Sequence, residues 1–213
     1  MSHDHQRRVF IATAGALVGA GLTGANAQGG GQMTRIDFER AAYKVALTGS
    51  GPPPTWALVA DSGRKVLAQT SKDTTDYRFP LAIFDQPVAA DLDVVVRFKP
   101  VSGEVDRAAG IALRLADANN YYVVRANALE DNVRLYKVVG GQRRQFAGAN
   151  IKVPTGAWQE LRLSARGGRF EVFLEGKSLY SANDTTFTAA GRVALWTKAD
   201  SVTHFDDLRI QTL

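Results

Sequence analysis

The sequence lacks several residue types on which common catalytic sites depend. It has no cysteine, which excludes disulfide bonds, thiolate metal sites and cysteine nucleophiles. Of its three histidines, His3 and His5 lie at the amino-terminal end, so the rest of the chain cannot supply a three-histidine zinc site. It contains neither a Gly-x-Ser-x-Gly motif nor a phosphate-binding glycine loop before a helix, so serine-hydrolase and nucleotide chemistry are unsupported.

The sequence also lacks a concentrated stripe of one charge. Its 213 residues carry a net charge of +5 and a pI near 9.6, but the basic residues are spread along the chain. The densest basic segment is Gln142–Arg144, beside a Gly-Gly pair. Nucleic-acid-binding domains concentrate basic residues on one face, often with aromatic residues between them. We therefore predict a solvated basic surface and no nucleic-acid partner.

The amino-terminal segment has the features of an export signal. Gln6–Ile11 resembles the twin-arginine motif, Ile11–Ala27 carries no charge, and Ala25–Ala27 offers a small-x-small cleavage site. We predict a signal peptide over residues 1–27, a flexible linker over 28–34 and one domain over 35–213. The protein would then be periplasmic or secreted, with no stable membrane insertion after cleavage. The alternative is an uncleaved membrane anchor.

Short alternating segments dominate the rest of the chain, and no helix-period segment of any length interrupts them. About eleven strands follow one another between turns rich in Gly, Asn and Asp, which predicts an all-β fold, either a two-sheet sandwich or a barrel. Gly167–Gly168 and Gly140–Gly141 are hairpin signals. Alternation around the first of these predicts that five residues point into the core: Leu161, Leu163, Phe170, Val172 and Leu174.

Four segments in order resemble a known group of exported bacterial proteins: Asp106–Ile111, Asn120–Asn127, Gly191–Ser201 and Phe205–Leu208. The group has a concanavalin A-like jelly roll and is related to the 3-keto-disaccharide hydrolases (DUF1080) and family-16-like glycoside hydrolases. The resemblance implies two stacked antiparallel sheets with a concave face that holds carbohydrate. The same fold serves lectins, binding modules and hydrolases, so it does not by itself establish an activity.

The acidic residues do not form the pair that a retaining glycosidase requires. Such enzymes use two carboxylates about 5–5.5 Å apart, but Glu104 and Asp106 lie in a turn-like segment and are expected to be solvated. Asp206 and Asp207 are adjacent in a strand, so we expect them to point to opposite faces. Glu104, His204 and Asp206 remain weak catalytic candidates, and calcium is a candidate ion because carboxylates suit it.

Polar and aromatic residues in the predicted strands form a stronger candidate site. Sugars present apolar C–H faces and a rim of hydroxyl groups, which proteins meet with aromatic rings and with Arg or Asn side chains. Alternation places Tyr122, Val124 and Leu195 in the core and the residues between them on the other face. The predicted ligand-binding cluster is Arg114, Arg125, Asn127, Lys137, Trp196 and Lys198.

Two readings of this cluster stay open at the level of the sequence. Trp196 is either an open stacking platform or a core residue, and the arginines either bind ligand or pair with neighbouring acids. Trp158 is predicted to pack in the core. The leading functional hypothesis is a carbohydrate-binding domain; the alternatives are a glycoside or 3-keto-glycoside hydrolase and a non-enzymatic subunit that docks a protein partner.

Overall fold

The computed structural model describes residues 31–213, and every regular element within them is a β-strand. The predicted signal peptide and residues 28–30 of the predicted linker lie outside the described residues. Within residues 31–213, no helix has the length and apolar character needed to cross a membrane. The strands are β1 (Met33–Arg35), β2 (Tyr43–Gly49), β3 (Trp56–Asp61), β4 (Arg64–Gln69), β5 (Arg78–Ala89), β6 (Leu92–Ser102), β7 (Ala108–Asp117), β8 (Asn120–Asn127), β9 (Asn132–Val139), β10 (Gln142–Asn150), β11 (Gln159–Arg166), β12 (Arg169–Leu174), β13 (Lys177–Asn183), β14 (Gly191–Trp196) and β15 (Val202–Thr212).

The strands form two antiparallel sheets that stack as a jelly-roll sandwich, which confirms the predicted fold class. Sheet A has the order β13-β12-β11-β6-β15-β4-β3, and β1 pairs with β15 beside this path. Sheet B has the order β10-β9-β8-β7-β14-β5-β2. Strands that are distant in sequence are neighbours in both sheets, as β6 and β15 or β7 and β14 are, so the fold rests on long-range pairing.

The main core lies between the two sheets and follows the alternation of the strands. The five residues predicted to point inward from β11 and β12 are all buried in it. Tyr122, Val124 and Leu195 belong to the same core, which confirms the predicted faces of β8 and β14. Glu160, Arg162 and Glu171 alternate with these residues and are only partly buried, because they stand on the outer face of sheet A.

A second buried cluster lies on the outer face of sheet B, and we call it the outer cluster. It is separate from the main core and contains alternate residues of β5, β7, β8, β9 and β14: Phe79, Leu81, Ile83, Ala108, Ala112, Leu115, Tyr121, Val123, Tyr136, Val138, Ala194 and Trp196. The outer face of a two-layer antiparallel sandwich is usually solvated and polar. All of these residues are buried, so other side chains cover this face, Arg143 and Tyr77 among them.

A bulge in β15 changes the orientation of the adjacent acidic residues. The pairing of β15 with β6 shifts between Asp206 and Arg209, and Asp207 has a left-handed φ of 50°. The prediction that Asp206 and Asp207 point to opposite faces is wrong, because the bulge interrupts the period of two. Both line one cavity, where Arg35 and Arg64 pair with Asp207 and Asp206, respectively.

Candidate ligand-binding site

The outer cluster is built around Trp196, whose ring is fully buried. Its indole stacks on Phe79 with 5.3 Å between ring centroids and an interplanar angle of 21°. The indole N–H donates to the Tyr121 hydroxyl at 3.2 Å, and that hydroxyl lies 2.8 Å from Oγ1 of Thr48, which donates to the Ala118 carbonyl. Burial raises the pKa of Tyr121 to about 12, so its hydroxyl stays protonated. It can therefore accept the indole N–H and at the same time donate to Oγ1 of Thr48.

The Arg143 side chain lies across the rings of this cluster. Its guanidinium carbon is 4.5 Å from the ring centroid of Tyr136, 4.8 Å from that of Phe79 and 5.8 Å from that of Trp196. Tyr77 fixes the backbone below it, because its hydroxyl accepts the Arg143 N–H at 3.0 Å. A cation over an aromatic face is held by the ring quadrupole, so the guanidinium covers the outer side of this cluster.

A buried ion pair borders the aromatic residues at the end of β14. Nζ of Lys198 lies 2.9 Å from Oδ2 of Asp106 and also contacts the exposed carboxylate of Asp76. Nδ2 of Asn127 donates to Oδ1 of Asp106 at 2.8 Å. Burial raises the pKa of Asp106, although Lys198 opposes the shift. Burial alone would lower the pKa of Lys198, but its two carboxylate partners outweigh that and raise it.

A second ion pair lies beside the first on the same face of sheet B. Nη2 of Arg125 donates to Oε2 of Glu130 and to Oδ1 of Asn132, both at 2.7 Å. Arg125 is buried while the Glu130 carboxylate is half exposed. Burial alone would raise the pKa of Glu130, but hydrogen bonds from Asn132 and Arg125 lower it. With Arg143, this face carries three cations and three carboxylates, and Lys198 and Arg125 are the cations that form ion pairs.

The segment before β7 is fixed by one carboxylate on the opposite side of the network. Asp200 accepts the backbone N–H groups of Glu104, Val105 and Asp106, the last at 2.9 Å. Burial alone would raise the pKa of Asp200, but these three donors lower it. Asp200 therefore fixes the backbone of Asp106. The prediction that Asp106 is a solvated turn residue is wrong, because its side chain is buried.

Three polar atoms of this face are buried without a hydrogen-bond partner in the described part of the chain. They are Oδ2 of Asp106, Nε of Arg125 and a terminal nitrogen of Arg143. Asp106 Oδ2 has an ion-pair partner, because Nζ of Lys198 lies 2.9 Å from it. Buried polar groups are nearly always satisfied in folded proteins, and an exception calls for an explanation such as water or ligand. The two arginine nitrogens are such exceptions, and both are donors on guanidinium groups that lie over the Tyr136 ring.

The structure brings together four of the six residues of the predicted ligand-binding cluster. Arg125, Asn127, Trp196 and Lys198 all stand on the outer face of sheet B. All four are buried, the carboxylates of Asp76 and Glu130 are exposed, and Arg143 is partly buried. Sequence alternation had identified the face, but not the residues that lie over it.

Arg114 and Lys137 do not belong to this face, which corrects the predicted cluster. Arg114 has a left-handed φ of 49° and packs over Phe170 of the main core, with donors to the carbonyls of Ala90, Phe187 and Gly167 at 2.6–2.8 Å. The bulge at this point of β7 interrupts the alternation that predicted an outward side chain.

Lys137 points to the opposite side of β9 from Tyr136. Its Nζ donates to Asp184 at 2.6 Å and to Thr186 at 3.0 Å. The ring of Tyr122 belongs to the main core, and its hydroxyl donates to the same Asp184 at 2.6 Å. Burial alone would raise the pKa of Asp184, but these donors lower it strongly. Lys137 therefore links β9 to the segment that follows β13.

The three weak catalytic candidates are not assembled into one site. Glu104 is exposed and lines a cavity of about 300 Å³ with Lys72 and Asp200. His204 and Asp206 lie on the outer face of sheet A, where Nδ1 of His204 is 2.7 Å from Asp61. Within residues 31–213, no group of three or more His, Asp or Glu side chains is placed to hold a metal ion, and calcium stays a prediction from the sequence.

Sequence reasoning missed Arg143, Glu130 and Asp76 as members of the site. Arg143 was noticed only as part of a basic segment, and its position next to a Gly-Gly turn was the available signal. Glu130 and Asp76 lie in turns, where spacing along the chain does not reveal spatial neighbours.

Solved structures share the fold of this chain at low sequence identity. A carbohydrate-binding module, CBM66 from Bacillus subtilis, has a TM-score of 0.65 and 18% identity, covering 79% of this chain and 95% of that one. A Bacillus subtilis protein of unknown function with a galectin-like fold has a TM-score of 0.57 and 10% identity over 79% and 89% of the two chains. A protein described as a native glycosidic hydrolase has a TM-score of 0.59 and 9% identity over 85% and 95%.

No protein-family model matches the chain, and no curated protein is similar to it in sequence. At such low identities the similarity to solved structures establishes the fold alone. The chain therefore has a jelly-roll fold that also occurs in a carbohydrate-binding module and in a protein described as a glycosidic hydrolase.

Proposed function

We propose that this protein is an exported carbohydrate-recognition domain that binds a neutral oligosaccharide on the outer face of sheet B. The observation that carries the proposal is the pair of unsatisfied guanidinium nitrogens on Arg125 and Arg143 in an aromatic cluster that contains the stacked Trp196. A saccharide suits the unsatisfied polar atoms because its hydroxyl groups donate and accept hydrogen bonds, and it suits the aromatic ring because its ring faces are apolar.

The charges of the site favour a neutral ligand. Lys198 is neutralised by Asp106 and Asp76, and Arg125 by Glu130. A charged ligand would leave one member of such a pair without its partner in a poorly solvated place, which is costly. A polyol can instead join the network through hydroxyl groups without changing its charge.

Binding on this face requires the Arg143 side chain to move. The backbone N–H of Arg143 is held by Tyr77, while its guanidinium is held over the rings by cation–π contacts. Such contacts contribute about 0.5–1 kcal/mol where water competes. A sugar ring that replaces the guanidinium on Trp196 recovers the stacking contact, and the displaced guanidinium can then donate to its hydroxyl groups.

The same geometry favours recognition over hydrolysis. The carboxylates of this face are engaged with Lys198 and Arg125 as partners, and Glu104, His204 and Asp206 lie elsewhere. We also propose that the protein belongs to the group of exported jelly-roll proteins related to the 3-keto-disaccharide hydrolases, and that it acts in the periplasm or after secretion. The twin-arginine-like leader motivates the location.

The substitution Glu130→Gln tests the site. It keeps the shape of the side chain but removes the charge that orients Arg125, so we expect at least about a fivefold increase in Kd for the bound oligosaccharide. Calorimetry with gluco-, galacto-, xylo- and fructo-oligosaccharides measures it. The matched control is Glu171→Gln, a half-exposed glutamate paired with Arg169 on the outer face of sheet A.

The control is expected to bind like the unmodified protein. The proposal is wrong if no neutral oligosaccharide binds to folded protein, or if both glutamine variants bind it with unchanged affinity.

A further inference from the structure

Trp158 is an aromatic residue that lies on the outer face of sheet A, outside the main core. Trp158 precedes β11 and was predicted to pack in the core, but it is only partly buried and stands outside the sheet. The guanidinium carbon of Arg97 lies 5.3 Å from its ring centroid, and Nζ of Lys99 lies 5.4 Å from it. Val96 and Phe98 point into the main core, which places Arg97 and Lys99 on the outer face.

Arg97 is a cation on this surface whose guanidinium has no ion-pair partner among residues 31–213. Its cross-strand neighbours are Glu160 on β11 and Asp206 on β15. Both are engaged elsewhere, because Glu160 accepts from Arg209 at 2.6 Å and Asp206 pairs with Arg64. Within residues 31–213, the Arg97 guanidinium makes no hydrogen bond or ion pair, and it lies over the Trp158 ring. Its donors are therefore available to an acceptor that comes from outside.

Lys99 differs from Arg97 although both lie over the same ring. Its ammonium pairs with Asp61, which also lies 2.7 Å from His204 Nδ1 and accepts a hydrogen bond from Ser62. The hydrogen bond from Lys99 is the largest cause that lowers the pKa of Asp61 to about 2. Lys99 therefore positions one side of the ring, and Arg97 remains the group that can recognise a ligand.

Two cavities meet at Trp158. The smaller, about 170 Å³, is lined by Trp158 and Arg97 with the paired side chains of Asp61, Arg64 and Asp206. The larger, about 450 Å³, continues on the other side over Ile151, Pro154 and Leu174. Its charged lining residues are Lys152, Glu175 and Lys177. Lys177 makes no ion pair in the described part of the chain. Together they form a groove with an aromatic centre, an apolar section and an unpaired cation on either side.

We propose that this groove is a second binding site, for an acidic oligosaccharide such as a chain of uronic acids. The sugar rings would pack on Trp158 and on the apolar section, and Arg97 and Lys177 would pair with carboxylates on successive or alternate residues of the chain. A guanidinium matches the two oxygens of a carboxylate. The site is on the opposite sheet from the neutral-sugar site and does not depend on it.

Calorimetry at low salt with oligogalacturonate as the probe tests the proposal. We expect saturable binding that weakens as salt is added, because exposed charges are screened. Trp158→Ala and Arg97→Gln should each raise the Kd at least about tenfold, since each removes a central contact. Arg166→Gln, which changes an exposed arginine at the far end of β11, should leave it unchanged. Arg97 does not contribute to the core, so Arg97→Gln keeps the test valid if Trp158→Ala fails to fold.

Three results would overturn this proposal. The first is absence of saturable binding by folded protein, and the second is an unchanged Kd in Arg97→Gln. The third is equal affinity for polyglutamate, which would show a general polyanion surface without saccharide recognition. Glu130→Gln should bind oligogalacturonate normally, and loss of binding there would place the acid site on sheet B and contradict the proposal. Failure of the neutral panel alone would remove only the neutral-sugar site.

Discussion

At the scale of single residues, Arg114 gives a direct test of whether a predicted site residue is structural. Arg114→Ala leaves three carbonyl acceptors without their donor, so we expect a loss of about 2–4 kcal/mol in the free energy of unfolding. Urea denaturation measures the loss, with Arg166→Ala as a control on an exposed arginine. A variant of unchanged stability that no longer binds oligosaccharide would contradict this assignment.

Alternation along a strand identifies a face but not its environment. The period of two in β8 correctly separates Tyr122 and Val124 from Tyr121 and Arg125. It cannot show that the outer set is also buried, because that depends on a side chain such as Arg143 from a strand two positions away in the sheet. The same pattern therefore locates most of the candidate site but does not decide whether its residues are exposed or buried.

Asp61 gives a test of pH dependence. Its pKa falls from the ordinary 3.8 to about 2 in the folded protein, chiefly through Lys99 and, against burial, through His204 and Ser62. A depressed pKa stabilises the fold above the unfolded-state value, and that stabilisation is lost as the pH falls from about 4 towards 2.

Asp61→Asn should accordingly cost about 1–3 kcal/mol of unfolding free energy at pH 7 and progressively less as the pH falls below 4. Urea denaturation across this range measures the difference. Asp85→Asn, at a half-exposed carboxylate 3.5 Å from Lys44, is the control and should cost under about 0.5 kcal/mol. A constant difference between the wild type and Asp61→Asn over the whole range would refute the assignment.

At the scale of elements, the sequence pattern identifies the central strands better than the marginal ones. Alternation does not mark β2 or β13, and only the Gly140–Gly141 hairpin signal indicates β10; all three lie at the edges of their sheets. Edge strands have one paired side and much exposed surface, so their hydrophobic alternation is weak, as the Gly- and Ala-containing β10 illustrates. The bulges in β7 and β15 also escaped prediction, because a single left-handed residue such as Arg114 or Asp207 leaves no periodic signal.

The tip of the β9–β10 hairpin offers a test of how Arg143 is held. The Tyr77 hydroxyl donates to the Gly141 carbonyl at 2.8 Å and accepts the Arg143 N–H at 3.0 Å. Tyr77→Phe removes both bonds, so exchange of the Arg143 amide hydrogen should accelerate about tenfold. Hydrogen-exchange NMR measures it, and Tyr43→Phe is the control. Unchanged exchange at Arg143 would mean that Tyr77 does not fix the hairpin.

At the scale of the whole molecule, the sandwich separates two surfaces of different chemistry. The outer face of sheet B combines a buried aromatic cluster with balanced ion pairs, and the outer face of sheet A combines Trp158 with the unpaired Arg97. The resemblance in sequence and the alternation together predicted the jelly roll, which depends on the bulk pattern of burial. They did not separate the two surfaces, because this depends on which strands become neighbours and on where bulges fall.

The three tryptophans report on different parts of this architecture. Trp56 is buried in the main core, Trp196 lies in the outer cluster and Trp158 stands on the outer face of sheet A. The most direct test of the proposed function is therefore a two-dimensional ¹H–¹⁵N NMR titration that follows the three indole N–H signals while a neutral oligosaccharide is added. Binding on the outer face of sheet B predicts a saturable shift of the Trp196 signal, whose N–H donates to Tyr121, with the Trp56 and Trp158 signals unchanged. A neutral saccharide that shifts only Trp158, or a full panel that leaves Trp196 unshifted in folded protein, would contradict the account.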